Sequence, residues 1–131
     1  MLRTRWIPGP AVTGGPVLIS VTDFRADRRR DLPRIYQAGL QLRRDWPLLE
    51  GAVGMWLWTA PGQGRCGSVS VWSGETAMYQ FVARPDHVRI MRRYRDRGNV
   101  RATTWTDPQP DRDAIWSRAR LYLSGVEIQQ G

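Results

Sequence analysis

The stretch from 69 to 94, Val-Ser-Val-Trp-Ser-Gly-Glu-Thr-Ala-Met-Tyr-Gln-Phe-Val-Ala-Arg-Pro-Asp-His-Val-Arg-Ile-Met-Arg-Arg-Tyr, constrains the fold most, because an alternating strand runs straight into a helix that a proline interrupts. Ser73 is placed to accept bonds from the N–H groups of a first helical turn, and Glu75 sits at the positive end of that helix, so the spacing predicts a start there. Ala77, Met78, Phe81 and Val82 recur at helical spacing. Pro85 then removes a donor, which predicts a kink or restart. His87, Ile90, Met91 and Tyr94 share one face of the second segment. His87 is the only histidine in the chain, so the search for chemistry begins with it and the Tyr94 hydroxyl; a surface or capping histidine is the alternative.

Upstream, residues 16 to 24 alternate, Val17, Ile19 and Val21 against Leu18, Ser20, Thr22 and Phe24, which predicts a strand. Leu32, Ile35, Tyr36, Gly39, Leu40 and Arg43 form a helical stripe with Pro33 in its first turn. Trp46-Pro47 ends that helix, because the residue before a proline is pushed out of the helical region. Residues 51 to 59 are apolar on both sides, Val53, Met55 and Leu57 against Trp56 and Trp58, so this strand needs cover on each. A turn at Pro61-Gly-Gln-Gly64 joins it to the run 67 to 72 as a hairpin. Gly98-Asn99 reads as a helix stop, and Val100, Ala102 and Thr104 then alternate with Arg101, Thr103 and Trp105. Past Pro108 and Pro110, Asp111 or Asp113 caps a short helix with Ile115, Ala119 and Tyr122 inward, stopped by Gly125.

The order β-α-β-β-α-β is that of a ferredoxin-like antiparallel sheet, class α+β, with helices on one face and a further C-terminal helix. Three segments result: an N-terminal arm at 1–15, where Trp6 and Ile7 are free to dock, a domain at 16–106, and a helix and tail at 107–131. The expected face under the helices is Val17, Ile19, Val21, Val53, Met55, Leu57, Val69, Val71, Val100 and Ala102. The other face collects Leu18, Phe24, Trp56, Trp58, Trp72 and Trp105, an apolar patch larger than a soluble monomer carries. Either a second copy of the chain covers it, giving a homodimer, or the arm or terminal helix folds over it.

Composition narrows the classes. A chain of 131 residues predicts one domain. All twenty basic residues are arginine, and Arg89, Arg92, Arg93, Arg95, Arg97 and Arg101 cluster; with no nucleic-acid motif beside them they read as the solvated face of a helix, and a nucleic-acid partner is not expected. Cys66 alone forms no intrachain disulfide, and with one histidine leaves too few ligands for a structural metal, which fits a reducing cytoplasm. Arg3 and Arg5 are followed by Pro8, Gly9 and Pro10 rather than by the apolar core of a signal peptide, and no run of about twenty apolar residues spans a membrane.

The element order, the Ser-Val-Ser-Val-Trp-Ser run at 68–73 and Phe81-Val-Ala-Arg-Pro-Asp-His-Val-Arg-Ile-Met91 resemble the dimeric α+β barrel superfamily, near the antibiotic biosynthesis monooxygenases, the spheroidene monooxygenase-like proteins and related bacterial families. Trp72, Ser73, Glu75 and His87 carry the match, which spans about 16–106. The resemblance implies a homodimer and a small-molecule pocket between sheet and helices, with Trp72, Phe81, Ile90, Met91 and Trp58 as its substrate-binding residues. It further implies a cofactor-independent monooxygenase acting on an aromatic or polyene-like metabolite, with His87, Tyr94 and Asp23 as base and hydrogen-bond donors. Haem-degrading members place a ligand histidine near where Met91 stands here, so haem is an alternative only through His87. A non-catalytic ligand-binding or structural dimer is the competing class.

Overall fold

The computed structural model describes residues 1–12 and 14–125. Strands β1 (Leu2–Arg3), β2 (Ile7–Pro8), β3 (Val17–Ala26), β4 (Ala52–Ala60), β5 (Arg65–Trp72) and β6 (Gly98–Asp107) form one sheet, and helices α1 (Leu32–Arg43), α2 (Glu75–Val82), α3 (Pro85–Tyr94) and α4 (Arg112–Leu123) pack on it. The strand order is β1-β4-β5-β3-β6, with β2 also on β4 and every pairing antiparallel. Without β1 and β2, this is the ferredoxin-like order with α1 between β3 and β4. The arm extends the sheet: Leu2 pairs with Thr59 and Ile7 with Met55. Trp6 lies over Gly54, where a side chain would overlap its ring.

Local signals act as expected at most boundaries. The helix stops at Val82 and restarts at Pro85. Asp111 caps α4, accepting bonds from Asp113 N and Ala114 N at 3.1 and 3.2 Å. Ser73 does not cap α2. Its backbone N–H is bound to the Gly51 carbonyl at 2.8 Å, which ties it to the start of β4, and Gly74 takes the N-cap position with no side-chain bond.

The face assignment is corrected. Ile19 pairs with Val71 and Trp105, and Val69 with Trp56, so Val17, Ile19, Val21, Val69 and Val71 share a face with Trp56, Trp58 and Trp105. Leu18, Met55, Leu57 and Trp72 form the opposite face, against Tyr36 and Leu40 of α1 and Ala77, Met78 and Phe81 of α2. The irregularity between Ala52 and Gly54 turns Val53 to the side of Trp56. The tryptophan face is not bare: Ile115, Ala119 and Leu123 of α4 cover it, with Trp6 and Trp116 at its margin. Trp58 is 0 % exposed within a single chain. Of the segment 107–131, residues 126–131 lie outside the described residues.

Candidate functional site

His87 lies in the first turn of α3, and its ring stands edge-on to Phe81 with centroids 5.1 Å apart. Phe81 in turn meets Trp46 at 5.5 Å and Trp72 at 5.4 Å, and those two tryptophans are 4.7 Å apart. Sheet, helix and the turn after α1 thus contribute one aromatic cluster. Trp72 Nε1 donates to Ser70 Oγ at 2.9 Å. Trp46 Nε1 and His87 Nδ1 are the buried side-chain nitrogens that find no partner among the described residues. Such atoms are rare in folded proteins and call for a specific cause. One is an obligatory donor, and the other is an acceptor when the imidazole carries its proton on Nε2.

Burial lowers the His87 pKa, and the nearby Val82 carbonyl, which makes no bond of good geometry to Nδ1, opposes that only in part. The folded chain therefore binds this proton less readily than the unfolded one. Stability from this group is complete above the ordinary histidine value of about 6.5 and falls as pH drops below it. A melting temperature that decreases from pH 8 to pH 5, with a shallower decrease in His87→Gln, is the expected result.

Of the other expected site residues, Tyr94, Trp58 and Asp23 do not converge on His87. Tyr94 is buried at the far end of α3, about 10 Å along the helix axis. Met91 is 43 % exposed. Trp58 and Asp23 are on the opposite face of the sheet, because the register that aligns Val69 with Trp56 carries them there. Asp23 accepts from Arg65 Nε and Nη2 at 3.1 and 2.6 Å and from Arg101 Nε at 2.9 Å, which occupies both of its oxygens. Trp46, which the sequence marked only as a helix stop, is the residue that joins Phe81 and Trp72. A Trp-Pro pair signals where a helix ends but not what its ring will face.

A haem does not fit these residues. His87 Nδ1 is buried beside the Phe81 ring, and a half-exposed Met91 stands where the sequence resemblance implied a ligand histidine. Among the described residues no three His, Cys, Asp or Glu side chains gather to hold a metal ion, and no helix is long and apolar enough to cross a membrane. Within the arginine cluster Arg89 pairs with Asp86, Arg97 with Asp31 and Arg101 with Asp23.

No family model and no curated protein matches the chain. Solved structures do. SO0527 from Shewanella oneidensis aligns at a TM-score of 0.63 with 12% identity, over 76% of this chain and 97% of that one. A candidate antibiotic biosynthesis monooxygenase from Deinococcus radiodurans aligns at 0.59 with 14% identity, over 66% and 88%. A point mutant of SnoaB, a cofactor-independent oxygenase from Streptomyces nogalater, aligns at 0.55 with 15% identity, over 72% and 98%. The chain thus has the ferredoxin-like α+β fold of these structures.

Proposed function

We propose that this chain is a small-molecule oxygenase of the cofactor-independent kind, with its site at the Trp46–Trp72–Phe81–His87 cluster. The observation that carries the reading is the pair of buried, unpartnered nitrogens at that cluster, Trp46 Nε1 and His87 Nδ1. In this reading an aromatic substrate enters by displacing packed side chains, since Trp46 and Trp72 are each 1 % exposed, and then donates its hydroxyl to the neutral imidazole and accepts from the indole. Removing the hydroxyl proton makes an electron-rich anion that reacts with O₂. When the ring C–H opposite that hydroxyl becomes C=O and the hydroxyl carbon becomes the second C=O, one O₂ is consumed and one water leaves, so the substrate supplies all the electrons. Phe81, Ile90 and Met91 line the approach in this reading, and Tyr94 supports the far end of α3.

In the same proposal residues 16–106 form the catalytic unit, 1–15 an arm on its edge and 107–131 a covering helix and tail, in a reducing cytoplasm that keeps Cys66 a free thiol. A second copy pairs through the β6 edge, which carries Val100 at 51 % exposure, rather than through the tryptophan face.

Oxygen uptake over a panel of anthrol-like and quinol substrates tests the chemistry. Uptake by the parent chain that drops by about a hundredfold or more in His87→Ala is the expected result, the usual size of a general-base contribution. Tryptophan quenching by the same compounds without any oxygen uptake assigns the cluster to a non-catalytic binding protein. That second reading has its own support, since the closely spaced rings of Trp46, Trp72 and Phe81 leave the interior well filled.

A further inference from the structure

A second site lies on the opposite face of the sheet, where β3, β5 and β6 meet the end of α4. A cavity of about 400 Å³ opens there, lined by Asp23, Arg25, Arg65, Asn99 and Arg101 together with Leu123 of α4 and the two residues that follow it. That volume falls within the range of small-ligand sites, roughly 300 to 1,000 Å³.

Strand register builds this cluster. Asp23 stands opposite Arg101, and Arg25 stands between Arg65 on one side and Asn99 on the other. Buried Arg65 makes four hydrogen bonds: two to Asp23, one to Gln63 Oε1 at 2.7 Å and one to the Leu123 carbonyl at 2.7 Å. Arg101 bonds Asp23 and the Tyr122 carbonyl at 3.1 Å, with its guanidinium 4.5 Å above the Tyr122 ring. Those two carbonyls belong to the last turn of α4, so the arginines also neutralise the negative end of that helix. Arg25 has no ion pair among the described residues. Among the described residues, three guanidinium charges, those of Arg25, Arg65 and Arg101, face the single carboxylate of Asp23, which leaves two positive charges around the cavity. Like charges directly opposite in an antiparallel pair, as Arg25 and Arg65 are, repel unless an anion lies near.

We propose that this cavity binds the oxyanion group, phosphate or carboxylate, of a small molecule, with Arg25 and the outer edge of Arg101 as its donors and the buried Asp23–Arg65 pair as the rigid floor. A planar guanidinium matches the spacing of two oxyanion oxygens, and a floor locked by its own hydrogen bonds holds Arg101 in place for that contact. The site is independent of the aromatic cluster, because the sheet separates the two.

Calorimetric titration of the full chain with inorganic phosphate and, separately, with succinate tests this at low, constant ionic strength, with chloride as the control. Saturable heat with either anion and none with chloride is the expected result, and which anion binds identifies the oxyanion. Arg25→Ala, an exposed substitution, is expected to weaken binding by about tenfold or more, the loss of one charge-assisted contact. His87→Ala is expected to leave it unchanged, whatever becomes of the oxygenase reading. Heats indistinguishable from chloride for both anions, or unaltered affinity in Arg25→Ala, overturn the proposal.

Discussion

Asp23→Ala is expected to cost about 3–5 kcal/mol of unfolding free energy, the usual penalty for breaking a buried ion pair from one side. The loss leaves Arg65 buried beside a vacated carboxylate, with only Gln63 and the Leu123 carbonyl as partners. A guanidinium cannot shed its proton to escape that situation. Arg65→Met is expected to cost less. Asp23 then keeps Arg101 at 2.9 Å as a charged partner. The double substitution Asp23→Leu with Arg65→Met should recover most of the loss, since replacing a buried pair by apolar groups is often neutral. Urea denaturation of the three variants checks the order. If Arg65→Met proves the worse of the two single changes, Arg101 is not the partner that the geometry makes it.

Trp58→Ala is the second large effect, at about 3–5 kcal/mol for a buried tryptophan. The ring is closed in by the α4 cluster, its Nε1 donates to the Thr22 carbonyl at 3.0 Å, and the Arg65 guanidinium lies 5.4 Å from its centre. Truncation removes all three contacts and opens a cavity beside Val21 and Val69. For a domain of this length, that corresponds to a fall in melting temperature of roughly 10–20 °C. Sedimentation equilibrium of the same variant then separates two accounts of assembly. With α4 covering the tryptophan face, the mass is expected to equal that of the parent chain. A mass of two chains that becomes one in Trp58→Ala restores the face-to-face pairing of sheets. A parent mass of one chain removes the β6-edge dimer as well.

From residue 16 onward the sequence alone determined the main elements and their order, whereas the two short arm strands Leu2–Arg3 and Ile7–Pro8 exist only because β4 pairs with them. Pro85 and Asp111 act within a few residues of themselves, through a missing donor and a cap, so their effects are legible without any tertiary contact, whereas α1 stops at Arg43 and Trp46 itself opens a short 3-10 turn, Trp46–Leu48, rather than an extended segment. Alternation likewise divides each strand into two sets of side chains. What alternation lacks is phase between strands, because a shift of one residue in register moves a whole set to the other face. Only the paired sheet decided that Val69 stands beside Trp56 rather than Met55, and the irregularity at Ala52–Gly54 then carried Val53 to the same side. That phase sent Asp23 and Trp58 away from His87 and placed α4 over the tryptophans. The meeting of Trp46 with Phe81 and Trp72 was likewise beyond the sequence, since these rings come from three separate segments and touch only after the helices have docked on the sheet.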